Sequence, residues 1–252
     1  MKTTGLITRR RALITGMASV GGLLLARSAK DLPPTYGSLL RLGDNITYAA
    51  HRTLLPKQSL VKEYRLQDVT SFPATGTTNP ADSKRAPLAD VYRGLHGGAF
   101  ADWRLSIEGR VATPRTFSLA ELKRLQSRTQ ITRHTCEEGW TAIGQWTGVP
   151  LSVVLDAAGI LPSARYVAFH SYDDWVDSID MLDALHPQTI LAYGMNGRDL
   201  PIQHGAPLRL RVERQMGYKS MKYVHKVVVT DEFDDGAEKG NIQNGWAWYT
   251  GI

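Results

Sequence analysis

Near its middle the polypeptide runs Thr132-Arg133-His134-Thr135-Cys136-Glu137-Glu138-Gly139-Trp140 and then Gly144-Gln145-Trp146-Thr147-Gly148-Val149-Pro150. Cys136 is the single cysteine of the 252 residues, so it forms no disulfide within the chain. One thiol also cannot build a zinc or iron–sulfur site alone. Three interpretations remain open: a buried apolar residue, a nucleophile, or the single thiolate ligand of a metal that other groups hold. The neighbouring Arg133 and His134 would stabilise a thiolate, which favours the two reactive interpretations.

The pattern around this cysteine has a counterpart among known enzymes. Arg133-x-x-Cys136-x-Glu138-Gly139-Trp140, followed by Trp146-x-Gly148-x-Pro150-Leu151, resembles the cofactor-binding core of the sulfite oxidase family of molybdenum–pterin enzymes. The resemblance extends in order from about Trp103 to Phe233 and is strongest to the periplasmic protein-methionine-sulfoxide reductase group. In that family a cysteine is the one protein ligand to molybdenum, and Cys136 stands in its position. A soft thiolate suits a metal otherwise held by pterin dithiolene sulfurs.

A second constellation runs Gln203-His204-Gly205-Ala206-Pro207-Leu208-Arg209 and then Gly217-Tyr218-Lys219-Ser220-Met221-Lys222. It resembles the pair of family segments that grip the pterin and its phosphate. The resemblance implies that Arg209 supplies a forked, permanently charged donor to that phosphate. It also places around the pterin His204, which replaces a family asparagine, and Ser220, Met221 and Lys222, acting through backbone N–H groups and the lysine charge. Taken alone, an arginine on an alternating strand would point outward, as we expect for Arg211.

Four further residues are candidates through the same resemblance. Ser171 falls where the reductase group has a threonine that hydrogen-bonds the pterin; the alternative is a strand-end hydroxyl bonded to nearby backbone. Asn45 and Tyr48 lie in a segment similar to a pterin-contacting Gly-x-Asn-x-x-Tyr, with a plain surface turn as the alternative. Arg133 matches a family arginine and is a catalytic candidate, able to stabilise the thiolate or meet an anionic oxygen. Its alternative is a surface ion pair with a neighbouring glutamate.

The beginning of the chain is typical of a targeting segment. Arg9-Arg10-Arg11 precedes an uncharged run of about 15 residues, short of the roughly 20 that span a bilayer. A basic region followed by a short apolar one indicates a signal peptide, and paired arginines indicate twin-arginine export; a membrane anchor is the alternative. We therefore expect a periplasmic protein with a signal peptide at 1–30, a loop-rich N-terminal segment packed on the main domain at 31–98, and a molybdopterin-binding catalytic domain at 99–252.

Composition and local patterns predict the fold class. With 42% hydrophobic and 21% charged residues the chain is an ordinary globular protein, and its net charge of +6 owes much to the first 30 positions, so it indicates no nucleic-acid partner. The predicted strands are Trp103–Gly109, Gln130–Thr132, Arg165–His170, Leu208–Val212 and Lys222–Thr230, with a hairpin turn at Asn196-Gly197; the predicted helices begin at Ser118, Leu151 and Ser178. Strands and short helices without regular βαβ repeats predict an α+β, sulfite-oxidase-type molybdopterin-binding fold with mixed β-sheets.

The resemblance implies an oxidoreductase that uses molybdenum–molybdopterin for oxygen-atom transfer, most directly the reduction of a sulfoxide such as methionine sulfoxide. Two electrons per turnover require a donor, yet this sequence has no Cys-x-x-Cys-His haem attachment and no cysteines for iron–sulfur clusters. A separate electron-transfer partner is therefore expected, in the reductase group a haem-bearing membrane subunit. One alternative is a sulfite-oxidising dehydrogenase. Another is a non-catalytic protein that keeps the fold to bind a ligand or partner.

Overall fold

A computed structural model describes residues 42–55, 57–83, 87–233, 240 and 245–252. The predicted signal peptide, residues 1–30, lies outside the described residues and stays a prediction. Contacts within the chain separate two compact units, Met1–Lys57 with Gly251 and Gln58–Thr250 with Ile252. No helix within the described ranges is long and apolar enough to cross a membrane.

Short elements make up the described parts of both units. The helices are α1 (Leu42–Leu54) in the first unit and α2 (Ala89–Gly97), α3 (Leu119–Arg124), α4 (Leu151–Ala158) and α5 (Met181–Ala184) in the second. The strands are β1 (Arg104–Gly109), β2 (Arg115–Ser118), β3 (Arg128–Thr135), β4 (Thr141–Pro150), β5 (Tyr166–Ser171), β6 (Val176–Asp180), β7 (Ile190–Met195), β8 (Arg198–Asp199), β9 (Arg209–Arg211) and β10 (Val224–Thr230).

Two five-stranded sheets organise the second unit. The first sheet has the order β2-β1-β10-β5-β6, in which only the β1–β10 pair is parallel. The second has the order β3-β4-β7-β8, and β9 also pairs with β7. One mixed and one antiparallel sheet, joined by short helices, confirm the predicted α+β class.

Helix α1 is the described part of the first unit. Asp44 lies in its first turn and Arg52 in its last, where their charges favour the helix dipole. The guanidinium carbon of Arg52 lies 5.1 Å from the centroid of the Tyr48 ring. The expectation of a loop-rich segment over 31–98 is therefore wrong for residues 42–54, as is the alternative of a surface turn at Asn45 and Tyr48. The helix begins with Gly43, Asp44 and Asn45, which are residue types typical of turns. Asn45, Tyr48 and Ala49 are nevertheless buried, and their spacing of three and four positions places them on one face of a helix.

The main core of the second unit lies along β1 and α4. Leu105 and Ile107 are fully buried, whereas Arg104 and Glu108 are exposed and Ser106 is half-buried, which confirms the strand predicted from alternation. Helix α4 buries residues spaced by three and four positions, each large side chain contributing about 1.5–3 kcal/mol. It ends at Gly159, whose φ of +72° is the left-handed conformation that glycine adopts freely.

One predicted helix begins later than expected. Ser178 was expected to start it, but Ser178 and Asp180 complete strand β6. The Asp180 carboxylate then accepts a hydrogen bond of 2.8 Å from the backbone N–H of Asp183 and caps the single turn of α5. Pairing with β5 therefore extends β6 up to the cap.

Candidate active site

Cys136 lies in the turn that joins β3 to β4. The last pair of the hairpin is Thr135 with Thr141, and the Cys136 N–H donates to the Trp140 carbonyl at 2.9 Å. Gly139 closes the turn with a φ of +91°. The sulfur is buried, 3.5 Å from the Glu137 carboxylate, and burial above all raises the pKa of the Cys136 thiol to about 11. The thiol is therefore protonated in the free protein, and a metal that it binds must displace the proton.

Cys136 opens onto a cavity of about 290 Å³ in the second unit. Five residues singled out by the second sequence constellation line the same cavity: His204, Arg209, Ser220, Met221 and Lys222. The structure thus brings Cys136 and Lys222, which lie 86 positions apart in the sequence, to the same cavity.

Gly205 lets two of these segments meet. Its φ of +110° is the left-handed region, and a Cβ added to it would lie 2.9 Å from the Cβ of Lys222. A larger residue would therefore be strained and would separate the backbone of the His204 turn from that of Lys222. This explains in physical terms why glycine occupies the position.

Arg209 is a buried cation without an anionic partner at hydrogen-bond distance among the described residues. Its Nη1 and Nη2 donate to the carbonyls of His204 and Ser220, both at 2.9 Å, while its Nε has no hydrogen-bond partner within the described ranges. Burial, and then repulsion from Arg211, lowers the pKa of Arg209 to about 9. The guanidinium therefore remains charged at neutral pH and has a donor available to an anion.

Lys222 holds a loop beside the cavity. Its ammonium donates to the carbonyls of Thr75, at 2.8 Å, and of Thr77. The Tyr223 hydroxyl donates to the Thr77 carbonyl as well, at 2.9 Å. Residues 72–77 line the cavity, although the sequence analysis had not assigned them to the site. No local signal could have done so, because the loop is joined to the site through backbone carbonyls, which every residue has.

Ser171 lies at the edge of the site. Its hydroxyl contacts the Asp173 carboxylate and donates to the Trp175 carbonyl at 2.9 Å. This is the alternative geometry expected for a strand-end hydroxyl, and the pterin contact predicted for Ser171 stays a prediction. Asp173 and Trp175 themselves line the cavity, and burial raises the pKa of Asp173. The sequence analysis had missed both.

The alternation of β3 separates Arg133 from His134. Arg133 is exposed and is not among the cavity-lining residues, whereas His134 is buried and lines the cavity. The catalytic role predicted for Arg133 stays a prediction, and the structure gives it no contact with the cavity. Asn45 and Tyr48 belong to the first unit, and their pterin contacts also stay predictions.

Arg211 corrects a second expectation from alternation. It was expected to point to solvent but is 1% exposed. Its guanidinium forms a buried ion pair of 2.8 Å with Glu213, and its Nη1 lies 2.7 Å from Nδ1 of His134. All three residues of β9 are buried, so the strand has no outer face for Arg211 to occupy.

Comparison with known proteins identifies the family. Residues 96–238 match the family model described as the oxidoreductase molybdopterin binding domain. The chain belongs to this family. It is therefore an oxidoreductase of the sulfite oxidase type that binds molybdopterin, and the alternative of a non-catalytic binding protein is set aside.

Two related proteins and one crystal structure are similar to this chain. It is 40% identical over 151 residues to YedZ1 of Azospira oryzae, covering 60% of this chain and 56% of that protein. It is 33% identical over 192 residues to the protein-methionine-sulfoxide reductase catalytic subunit MsrP of Xanthomonas axonopodis pv. citri, covering 69% and 57%. The chain thus spans little more than half the length of these relatives. The crystal structure of the sulfane dehydrogenase SoxCD from Paracoccus pantotrophus is similar, with a TM-score of 0.52, 26% identity and coverage of 55% of this chain and 40% of that one.

The cavity of this molybdopterin-binding oxidoreductase fits its cofactor. The Cys136 sulfur is a soft ligand of the kind that molybdenum dithiolenes accept. The Nε of Arg209, which lacks a partner within the described ranges, is a donor suited to a phosphate, and the Lys222 ammonium adds a positive charge beside the same cavity. His204, Ser220 and Met221 complete the wall between them. These residues would hold the cofactor if the family resemblance applies position by position.

Lys222 should make phosphate binding by the cofactor-free enzyme sensitive to pH. Burial, and then repulsion from Arg209, lowers the pKa of Lys222 to about 8, although Asp173 acts in the opposite direction. The free ammonium is therefore mostly protonated at pH 7 and mostly neutral at pH 9. A phosphate monoester has a second pKa of about 6 and stays a dianion over this range. We expect its affinity, measured by calorimetry, to fall about tenfold from pH 7 to pH 9.

The matched control for this prediction is Lys222→Arg, which keeps a positive charge throughout the range. Its phosphate affinity should change only about twofold between the same pH values, because Arg209, with a pKa of about 9, is then the cavity cation that still titrates in this range. A wild-type profile as flat as that of the variant would show that Lys222 does not meet the phosphate.

Proposed function

We propose that this enzyme is the catalytic subunit of a periplasmic sulfoxide reductase acting on substrates such as methionine sulfoxide. Bound molybdopterin supplies a metal that exchanges an oxygen atom and two electrons with the substrate. In the overall reaction the sulfur–oxygen bond breaks, two electrons and two protons are consumed, and a thioether and water are released. The name of the relative MsrP, a protein-methionine-sulfoxide reductase catalytic subunit, supports this choice.

The electrons come, in this proposal, from a separate haem-bearing or quinol-linked partner. The sequence supports it, because one cysteine cannot ligate an iron–sulfur cluster and no haem-attachment motif is present in the chain. The words "catalytic subunit" in the name of MsrP also suit a two-subunit arrangement. Export to the periplasm rests on the paired arginines near the start of the sequence.

The observation that carries the substrate class is the acidic pair beside the cysteine. Glu137 has a carboxylate oxygen 3.5 Å from the Cys136 sulfur, and Glu138 accepts a hydrogen bond of 3.1 Å from the Trp140 indole. Both glutamates line the cavity. Two like charges about 4 Å apart repel by about 1 kcal/mol in bulk water and by about 4 kcal/mol near a protein surface. A neutral sulfoxide avoids this penalty, whereas anionic sulfite does not.

Two steady-state assays on the molybdenum-loaded enzyme test the proposal. Methionine sulfoxide reduction is followed with a reduced viologen dye, and sulfite oxidation with ferricyanide. We expect kcat/KM for the sulfoxide to exceed that for sulfite by at least about tenfold, because a repulsion of about 1.4 kcal/mol corresponds to a tenfold difference. Efficient sulfite oxidation with no sulfoxide reduction would overturn the proposal and make the enzyme a sulfite dehydrogenase.

Removing the charges of Glu137 and Glu138 should reduce the preference for methionine sulfoxide over sulfite. In a Glu137→Gln/Glu138→Gln double variant, kcat/KM for sulfite relative to methionine sulfoxide is expected to rise about tenfold or more, because each carboxylate repels the anion. The matched control is Glu108→Gln, on the exposed face of β1. If the double variant and the control have the same ratio as wild type, the glutamates do not select against anions.

A further inference from the structure

The position two residues before Cys136 has no role in the proposed function. His134 is 7% exposed, and its ring centroid lies 5.1 Å from that of Phe72 and 5.3 Å from that of Trp140. It nevertheless lines the cavity. An apolar side chain could pack between these aromatic rings equally well. The two ring nitrogens of a buried imidazole therefore need an explanation other than packing.

One ring nitrogen of His134 is committed to the protein. Nη1 of Arg211 lies 2.7 Å from Nδ1, and a guanidinium can only donate, so Nδ1 is the acceptor. An imidazole that accepts through Nδ1 carries its proton on Nε2. The Nε2–H group is therefore a donor, as the hydrogen-bond partner of Nδ1 requires.

Two more buried residues hold Arg211 in place for this contact. Both carboxylate oxygens of Glu213 accept from Arg211, at 3.0 Å and 2.8 Å. The side-chain amide of Gln130 donates to Glu213 at 3.0 Å. A buried ion pair adds little stability compared with apolar packing, so its presence is better explained by what it orients. What it orients here is the ring of His134.

The other ring nitrogen faces the cavity wall. A Cβ built on Gly217 would lie 2.3 Å from Nε2, so Nε2 lies directly against the Gly217 backbone, which also lines the cavity. The hydrogen bond recorded for the ring within the described ranges is the one from Arg211 to Nδ1. The Nε2–H donor is thus left for a molecule in the cavity.

We propose that His134 is a cofactor-binding residue that donates a hydrogen bond through Nε2–H to an acceptor atom of molybdopterin. Arg211, Glu213 and Gln130 are its positioning residues, because they fix the tautomer and the orientation of the ring. The proposal rests on the cofactor that the family binds and not on the choice of sulfoxide as substrate.

Such a donor has an effect on redox chemistry as well as on binding. A hydrogen bond donated to a cofactor favours its more electron-rich state and so raises the reduction potential. Loss of a supporting hydrogen bond near a metal typically costs about 10–100-fold in affinity. A role confined to packing would change neither quantity in this residue-specific manner.

The experiment compares His134→Gln with His134→Asn in the full, molybdenum-loaded enzyme. The glutamine amide nitrogen reaches the region of Nε2, whereas the shorter asparagine reaches only that of Nδ1. We expect His134→Gln to keep the wild-type rate of cofactor loss and the wild-type molybdenum potential. His134→Asn should lose the cofactor at least about tenfold faster and show a lower potential.

Cofactor loss is followed by molybdenum analysis and pterin fluorescence, and the potential by a redox titration monitored by electron paramagnetic resonance. Both variants are first compared with wild type in thermal unfolding. Equal wild-type behaviour of the two variants would overturn the proposal. Equal impairment would also overturn it, since it would assign His134 a packing role. Neither readout depends on sulfoxide turnover, so failure here is distinguishable from failure of the proposed substrate.

Discussion

Replacing Cys136 with serine is expected to abolish oxidoreductase activity while leaving the fold intact. The family resemblance makes the Cys136 sulfur the candidate protein ligand of molybdenum, and a serine hydroxyl is a harder, poorer ligand for that metal. Loss of a residue that merely supports a metal ligand costs about 10–100-fold, so loss of the ligand itself should lower kcat/KM for methionine sulfoxide at least about 100-fold. Molybdenum analysis and the viologen assay on the same preparation give the measurement.

The fold should survive because the substitution is nearly isosteric. The hydroxyl occupies the buried site of the thiol, whose recorded side-chain hydrogen bond is the long one of 3.5 Å to Glu137. We expect a change of no more than about 1–2 kcal/mol in the free energy of unfolding. Thr135→Ser, one position earlier in β3, is the matched control and should keep full activity. Full activity of Cys136→Ser would exclude the metal-ligand role.

Replacing Arg209 with methionine should separate the cofactor-loaded enzyme from the cofactor-free one. In the free enzyme the guanidinium is a buried cation whose Nε lacks a partner within the described ranges, so removing this charge should offset the loss of its two hydrogen bonds to the His204 and Ser220 carbonyls. In the loaded enzyme the phosphate would lose its buried counter-charge, which typically costs about 3–5 kcal/mol. Cofactor affinity should then fall by more than about 100-fold.

Thermal unfolding of both forms measures this difference. Loading should raise the Tm of the wild type strongly and that of Arg209→Met much less, because the stabilisation by a ligand grows with the logarithm of its affinity. Arg198→Met, which changes an exposed arginine in the β7–β8 hairpin, is the control and should behave as wild type. An undiminished gain in Tm for Arg209→Met would contradict phosphate binding by this residue.

Elements with a local cause were predictable. The capping box of Ser118 and Glu121 is present with both hydrogen bonds, because a side chain and a backbone three residues away meet in any helix start. The Asn196-Gly197 turn has positive φ at both residues, 51° and 75°, as the tight hairpin demands. Such features depend on neighbours in the sequence, and the sequence is sufficient to recognise them.

Features that depend on residues distant in the sequence were not predictable from the sequence. Alternation predicted an outward Arg211, but Glu213 and His134 supply the partners that make its burial possible. Strand β4 was not predicted as such, although it is the longest in the described residues, because its glycines weaken the strand pattern. Gly148 is required there, since a Cβ would lie 2.2 Å from the Leu191 carbonyl of the neighbouring strand.

By itself the sequence determined the family, the cofactor class and the single thiol that is the candidate metal ligand, because these depend on residue types at short, fixed spacings. Tertiary structure alone decided which side chains share the cavity with Cys136. It turned Arg133 outward and His134 inward, and it brought the loop at 72–77 onto Lys222 through backbone carbonyls. In any strand the side chains point alternately to the two faces, and every residue has a backbone carbonyl that can accept a hydrogen bond. Only the packing between distant segments therefore decides which face borders the cavity and which carbonyls bind a side chain there.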